Sequence, residues 1–135
     1  MPNDELAART RATAELYFTG VSDEKPCELW SAFDKEVGKR LSLFITGQMY
    51  ARQKIPHRTR QLVTVAVLTA LNRPDELKLH IQAALNVGCE PNEIAEVIFQ
   101  TFVYAGIPPV NTALKTLRTV LKEMGRWPLA EKDEA

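Results

Sequence analysis

The segment TRQLVTVAVLTAL, residues 59–71, decides the fold class. Leu62, Val63, Val65, Ala66, Val67, Leu68, Ala70 and Leu71 leave it almost no polar side. A surface helix keeps a polar stripe, so a helix that is apolar nearly all round has to be covered on all sides. The β-branched content would also suit a buried strand. Its length and the helical patterns on either side favour a helix. In a chain of 135 residues, a neighbouring subunit is the natural supplier of part of the cover.

Downstream, Pro74 stands where a first helical turn tolerates proline, and Asp75 and Glu76 suit the positive end of the helix dipole. This helix is expected to end near Asn86, before Gly88. Glu90-Pro91-Asn92-Glu93 is a second start signal, followed by Ile94, Val97, Ile98 and Phe102 at helical spacing up to Gly106. Pro108 and Pro109 open a last helix with the stripe Val110, Ala113, Leu114, Leu117, Leu121 and Met124.

Upstream, a helix from Asp4 to about Phe18 is capped by Asn3 and stopped at Gly20. Its charges fall on several sides, which predicts a peripheral position. Leu29, Phe33 and Val37 recur every four residues and predict one helical face, weakened at Gly38 and continued by Leu41, Phe44 and Ile45 toward Tyr50. No segment sustains a two-residue apolar–polar alternation. The expectation is a single all-α domain over 1–135, a compact bundle of six or seven helices, with the N-terminal helix and the C-terminal tail (EKDEA at its end) peripheral.

Lys+Arg and Asp+Glu both total 17, so no bulk field exists to hold nucleic acid or an anionic membrane. The longest apolar run is too short to span a bilayer. The first residues, MPNDELAART, carry two acids and no apolar run, unlike a secretory signal, and a cytoplasmic location is expected. Cys27 and Cys89 form no C-x-x-C pair. With only His57 and His80 and no acidic ligand spacing, neither a metal site nor a metal cofactor is expected. His57 reads as a solvated loop residue, and Trp30 and Trp127 as packing residues.

The stretch IPHRTRQLVTVAVLTALNRPDELKLHIQAALNVGCEPNEIAEVIFQTFVYAGIPPVNTA, residues 55–113, resembles the core of carboxymuconolactone decarboxylases. The matching elements are Thr59-Arg60, Leu77 with His80, Ala84-Leu85 before Gly88, Glu93-Ile94 with Glu96, and Tyr104-Ala105-Gly106 before Pro108. Gly47, Tyr50 and Arg52 fit a weaker lead-in. The resemblance implies an alkylhydroperoxidase D-like subunit, assembled as a homo-oligomer (trimer or hexamer) with active sites near subunit boundaries. Relatives in the peroxidase branch carry a C-x-x-C where this chain has Arg73 to Glu76, and without a thiolate and a resolving partner that chemistry fails. Two departures from the family pattern, Thr46 before Gly47 and Gln48 after it, point to a pocket mouth of its own.

The implied activity is a cofactor-independent carbon–carbon lyase of aromatic-compound catabolism, decarboxylating 4-carboxymuconolactone or a related small carboxylated lactone. The alternatives are an isomerase or hydrolase acting on another small acid in the same pocket, and a non-catalytic oligomeric binding protein. Decarboxylation leaves an electron pair that delocalises through the alkene onto the lactone carbonyl, so the substrate is its own electron sink. The protein must then supply a donor at that oxygen, an acid for reprotonation and an anchor for the carboxylate that stays.

His80, with an ordinary pKa near 6.5, is the candidate donor or acid. Glu76, four residues earlier on the same face, either fixes its tautomer or is a surface partner. Glu96 is the second candidate acid–base group, whereas Glu93 suits a structural first-turn role. Arg60 and Arg52 either anchor a carboxylate or pair structurally, Arg60 with Glu93 or Glu96. Tyr104 either donates a hydroxyl hydrogen bond to substrate or packs in the core.

Overall fold

The computed structural model describes residues 3–130. Among these, the elements are α1 (Asn3–Phe18), α2 (Pro26–Phe33), α3 (Lys35–Ser42) running into a π-helical segment (Leu43–Tyr50), α4 (His57–Ala70), α5 (Pro74–Asn86), α6 (Pro91–Gln100), α7 (Phe102–Ala105) and α8 (Ile107–Glu123). With the single turn α7 taken as a link between its neighbours, seven helices remain, and the described residues contain no strand. The all-α expectation holds. The EKDEA tail lies outside the described residues.

α5 is the central element. Its Leu77, Ile81, Ala84 and Leu85 meet Val65 of α4, Ile94 and Ile98 of α6, and Val110, Ala113, Leu117, Val120 and Leu121 of α8 in one core. The start signals read correctly: Pro74 and Pro91 open α5 and α6, and the Glu90 backbone N–H donates to Glu93 Oε1 at 3.3 Å. On the other side of α5 lies α1, with Leu6, Thr10, Thr13 and Tyr17 buried at three- and four-residue spacing. Asn86 on α5 donates to the carbonyls of Tyr17 (2.8 Å) and Thr19 (2.9 Å) and ties down the end of α1. α1 is therefore more than a peripheral helix; its scattered charges hide a narrow buried face.

Two readings of the N-terminal half needed correction. Asp34 is extended (φ −155°, ψ 111°) and accepts from the Val37 N–H at 3.1 Å, so it ends α2 and caps α3. The Leu29–Phe33–Val37 spacing spans this break and forms no common buried face; Phe33 is 88% exposed. Gly38, read as a weak point, is a contact: a Cβ there would lie 2.3 Å from Ser31 Oγ, so its absence lets α3 fold back onto α2.

The second correction is the π-helical segment, which the apolar spacing presented as ordinary helix. Its closing bond runs from the Ala51 N–H to the Thr46 carbonyl at 2.9 Å, an i→i+5 pattern. Such segments shift side-chain register and recur at functional sites. Here the shift brings Ile45 and Tyr50, five apart, to one pocket. Gly47 sits at the contact with α1, where a Cβ would lie 2.1 Å from Thr10 Oγ1 and 3.0 Å from Leu6 Cδ1. Gly47→Ala is expected to destabilise the fold by about 1–3 kcal/mol through overpacking, read from denaturant unfolding. Adding Thr10→Ala should recover part of the loss; an unchanged midpoint in the single variant would show that the two elements separate easily.

The apolar α4 helix is only partly covered in one chain. Gln61, Val65 and Thr69 form its buried line, while Val63, Val67 and Leu71 remain about half exposed. Around α6 to α8, Phe99, Phe102, Val103, Tyr104 and Ile107 are also exposed.

Candidate active site

A pocket of about 860 Å³ opens between α1, the α2–α3 pair, the π-helical segment and α5. Phe18, Trp30, Leu43, Ile45 and Leu79 give it a mainly apolar wall. Arg11, Lys25, Lys35 and Lys39 also line it, against Glu15 and Glu28. Lys25 is engaged, donating to the Val21 carbonyl at 2.7 Å and standing 3.6 Å from Glu28. Arg11, Lys35 and Lys39 leave the pocket with a positive bias that suits a small anion.

His80 reaches this pocket from α5, while the helix that carries Arg60 does not line it. Its partner, however, is Gln61 of α4: Gln61 Oε1 lies 3.0 Å from Nδ1. An amide oxygen only accepts, so this contact puts a proton on Nδ1 and leaves a lone pair on Nε2. Tyr50 stacks on the imidazole (centroids 5.8 Å, planes 15° apart), and Tyr17 meets Tyr50 edge-on at 5.6 Å. Burial lowers the His80 pKa to about 4, opposed by the charge of Glu76. At neutral pH the resting ring is therefore uncharged.

Tyr17 also lines the pocket and is 1% exposed. Its hydroxyl bonds to Nδ1 of His57, whose ring stands edge-on at 5.1 Å. Burial raises the Tyr17 pKa to about 12, so it is a phenol at every working pH. His57, read as a solvated loop residue, is half-buried in the first turn of α4, and its pKa is lowered by burial and then by the Arg60 charge.

The other sequence candidates are distributed differently. Glu76 is exposed and acts on His80 through its charge. Arg60 Nη2 donates to the Arg52 carbonyl at 2.9 Å, and neither arginine lines the pocket of the single chain. Glu93 pairs with Arg58 at 2.6 Å, a structural role that leaves Arg60 without it. Glu96 and Arg52 are exposed, and Tyr104 is 83% exposed rather than packed in the core. Thr46 lines the pocket, while Gln48 is exposed outside it.

Sequence reasoning missed Gln61 and Tyr17. Gln61 is a polar residue within the apolar run of α4, which was the one available signal, and Tyr17 falls on α1, whose scattered charges hide its buried face. Cys27 and Cys89 are free thiols, and burial pushes Cys89 up, away from the thiolate a peroxidase needs. Among the described residues, no group of three His, Cys, Asp or Glu side chains is placed to hold a metal, and no helix is long and apolar enough to cross a membrane.

The sequence profile of the carboxymuconolactone decarboxylase family matches residues 35–119, from α3 into α8. The chain is 38% identical over 123 residues to a 4-carboxymuconolactone decarboxylase of Acinetobacter baylyi, an alignment covering 91% of this chain and 88% of that protein. It is 34% identical over 80 residues to an uncharacterized 15.0 kDa protein from the nqo9–nqo10 intergenic region of Paracoccus denitrificans, covering 57% of this chain and 59% of that one. The matched span holds His80, Gln61 and the π-helical segment together, and on these grounds the chain belongs to the carboxymuconolactone decarboxylase family.

Proposed function

We propose that this protein decarboxylates 4-carboxymuconolactone or a closely related carboxylated lactone, as a cofactor-independent lyase of aromatic catabolism in the cytoplasm. The observation that carries the reading is His80 on the wall of an apolar, cation-bearing pocket, in a chain 38% identical to a protein of that activity. Arg11, Lys35 and Lys39 supply the attraction for the carboxylate that is retained. A cation on the departing carboxylate would stabilise the ground state and slow the reaction, so the apolar wall is the better surface for it.

Breaking the carbon–carbon bond releases CO₂ and leaves its electron pair to form a new ring double bond. The existing alkene shifts, and negative charge develops on the lactone carbonyl oxygen. One proton must then reach the ring carbon. His80 is the group that delivers it: a bound anion opposes the effect of burial and raises the imidazole pKa, so Nε2 takes up a proton from solvent. Nε2–H hydrogen-bonds to the charged oxygen or gives its proton to the carbon, and the ring returns to neutrality. Gln61 holds Nδ1–H throughout.

A second copy of the chain is part of the proposal. Val63, Val67 and Leu71 on α4, with the apolar residues exposed around α6 to α8, form surface of the kind that homo-oligomers bury. Glu96, Tyr104 and Arg52 face outward and enter a site only if a neighbouring copy brings one to them. Sedimentation of the purified protein is expected to show a trimer or hexamer.

Incubating the protein with 4-carboxymuconolactone, with no added metal or cofactor, should yield the enol-lactone and one CO₂ per turnover. A product that keeps both carboxylates would point to isomerase or hydrolase chemistry, and binding without turnover to a non-catalytic protein.

A further inference from the structure

Four residues that line the pocket, Lys35, Lys39, Ser42 and Thr46, follow one another at spacings of four, three and four along α3 and into the π-helical segment. Such spacing puts them on one helical line. Tyr50, one turn beyond Thr46, continues the line and stacks on the His80 ring. The wall thus changes from two ammonium groups at one end to two hydroxyls beside the Tyr50–His80 stack. Within this line Ser42 stands apart, because its Oγ is buried and has no hydrogen-bond partner. Other helical hydroxyls of the chain donate to the carbonyl one turn back: Thr10 to Leu6 at 2.7 Å, Thr64 to Arg60 at 3.0 Å and Thr69 to Val65 at 2.7 Å. An unmatched buried hydroxyl destabilises the resting fold, and a ligand that accepts from it removes the penalty.

We propose that Ser42 and Thr46 are the seat for the carboxylate that the substrate retains, and so set the specificity of the pocket for a carboxylated ligand. The identity of that substrate rests on the decarboxylation proposed above; the unmatched hydroxyl is a property of the resting protein. Position along the helix decides between the hydroxyls and the lysines. Eleven positions separate Lys39 from Tyr50, about 16 Å at about 1.5 Å per residue, and helical side chains lean toward the N-terminus, here away from His80. A ligand ring that touches His80 therefore leaves its carboxylate within a turn or two of Tyr50, where Thr46 and Ser42 stand. The lysines act through their field and draw the anion in; the hydroxyls hold it. Ser42 turns Oγ to the pocket by one staggered step about χ1. Each hydroxyl then gives its single hydrogen to a carboxylate oxygen, and the carboxylate has lone pairs for both. A neutral amide in the same place gains less, because a hydrogen bond to a charged acceptor is the stronger one.

Trp30 also lines the pocket, and Trp127→Phe leaves it as the one tryptophan to report binding. In that background benzoate and benzamide, a charged and a neutral ligand of one shape, are titrated by fluorescence, and kcat and KM are measured on 4-carboxymuconolactone. Ser42→Ala and Thr46→Val should each weaken benzoate about 10-fold and leave benzamide nearly unchanged. KM for the lactone should rise by a similar factor while kcat moves far less. Ser42→Ala carries a further signature: it removes an unmatched hydroxyl and adds a better helix former, so its urea midpoint should equal or exceed that of wild type. A hydroxyl kept for structure gives the opposite sign. If Thr46→Val fails to fold, Thr46→Ala takes its place. The proposal is overturned by a lower midpoint in Ser42→Ala, by wild type binding benzoate no more tightly than benzamide, or by a benzoate affinity that either substitution leaves unmoved. Benzoate weakened by both substitutions in a protein that leaves the lactone unchanged would uphold the seat and remove the decarboxylase reading instead.

Discussion

His80→Gln is expected to lower kcat on the lactone by about two to four orders of magnitude, the usual contribution of a positioned proton donor. Glutamine fills much of the same space, and its amide still has a partner in Gln61, so the pocket wall survives the change. What it lacks is a nitrogen that gains and loses a proton near neutrality. The cations that draw the substrate in are untouched, so KM should move far less than kcat, the signature of an interaction made mainly in the transition state. Steady-state kinetics beside a thermal melt separates this from general damage. A variant with near-normal kcat would remove the imidazole from the chemistry.

Acidification should weaken the fold through the same residue. The ordinary histidine pKa is 6.5, and burial lowers that of His80 to about 4 in the folded chain. Between these two values the unfolded chain binds a proton that the folded His80 refuses, so stability falls as the pH falls. At about 1.4 kcal/mol per pKa unit, the loss attributable to His80 is about 3 kcal/mol by pH 4, and it levels off above about pH 7.5. His57 shifts in the same direction and adds to the effect. Carboxylates also titrate in this range, so the informative quantity is a difference: urea unfolding of wild type and of His80→Gln from pH 7.5 to 4. The variant should show the shallower decline. Parallel curves would mean that the folded protein accepts a charged imidazole at position 80 without penalty.

The elements that carried their own punctuation were legible. Pro74, Pro91 and the Pro108-Pro109 pair mark helix starts, and the stripes of α5, α6 and α8 follow helical spacing because all three bury one face in the same core. The region from α2 to Tyr50 was read less well. Its break at Asp34 is a cap on Val37 that interrupts an unbroken four-residue apolar spacing, and its π-helical segment packs through Gly47 against Leu6 and Thr10 of α1. A period search sees only neighbours along the chain.

The amino-acid order alone was enough for the all-α class and for the family, because helical periodicity, turn residues and a dense motif are local properties. Only the folded chain decided what His80 touches. Gln61 and Tyr50 reach it from two separate segments, and α1 had to pack against α5 to bring Tyr17 onto Tyr50 and His57 behind them. The apolar α4 helix spans both cases: its hydrophobicity was plain from the letters, yet burial of its Gln61–Thr69 line and exposure of Val63, Val67 and Leu71 follow from where α5 and α6 press on it. A polar side chain acquires its role from the partner that replaces its water, and that partner is chosen by packing in three dimensions.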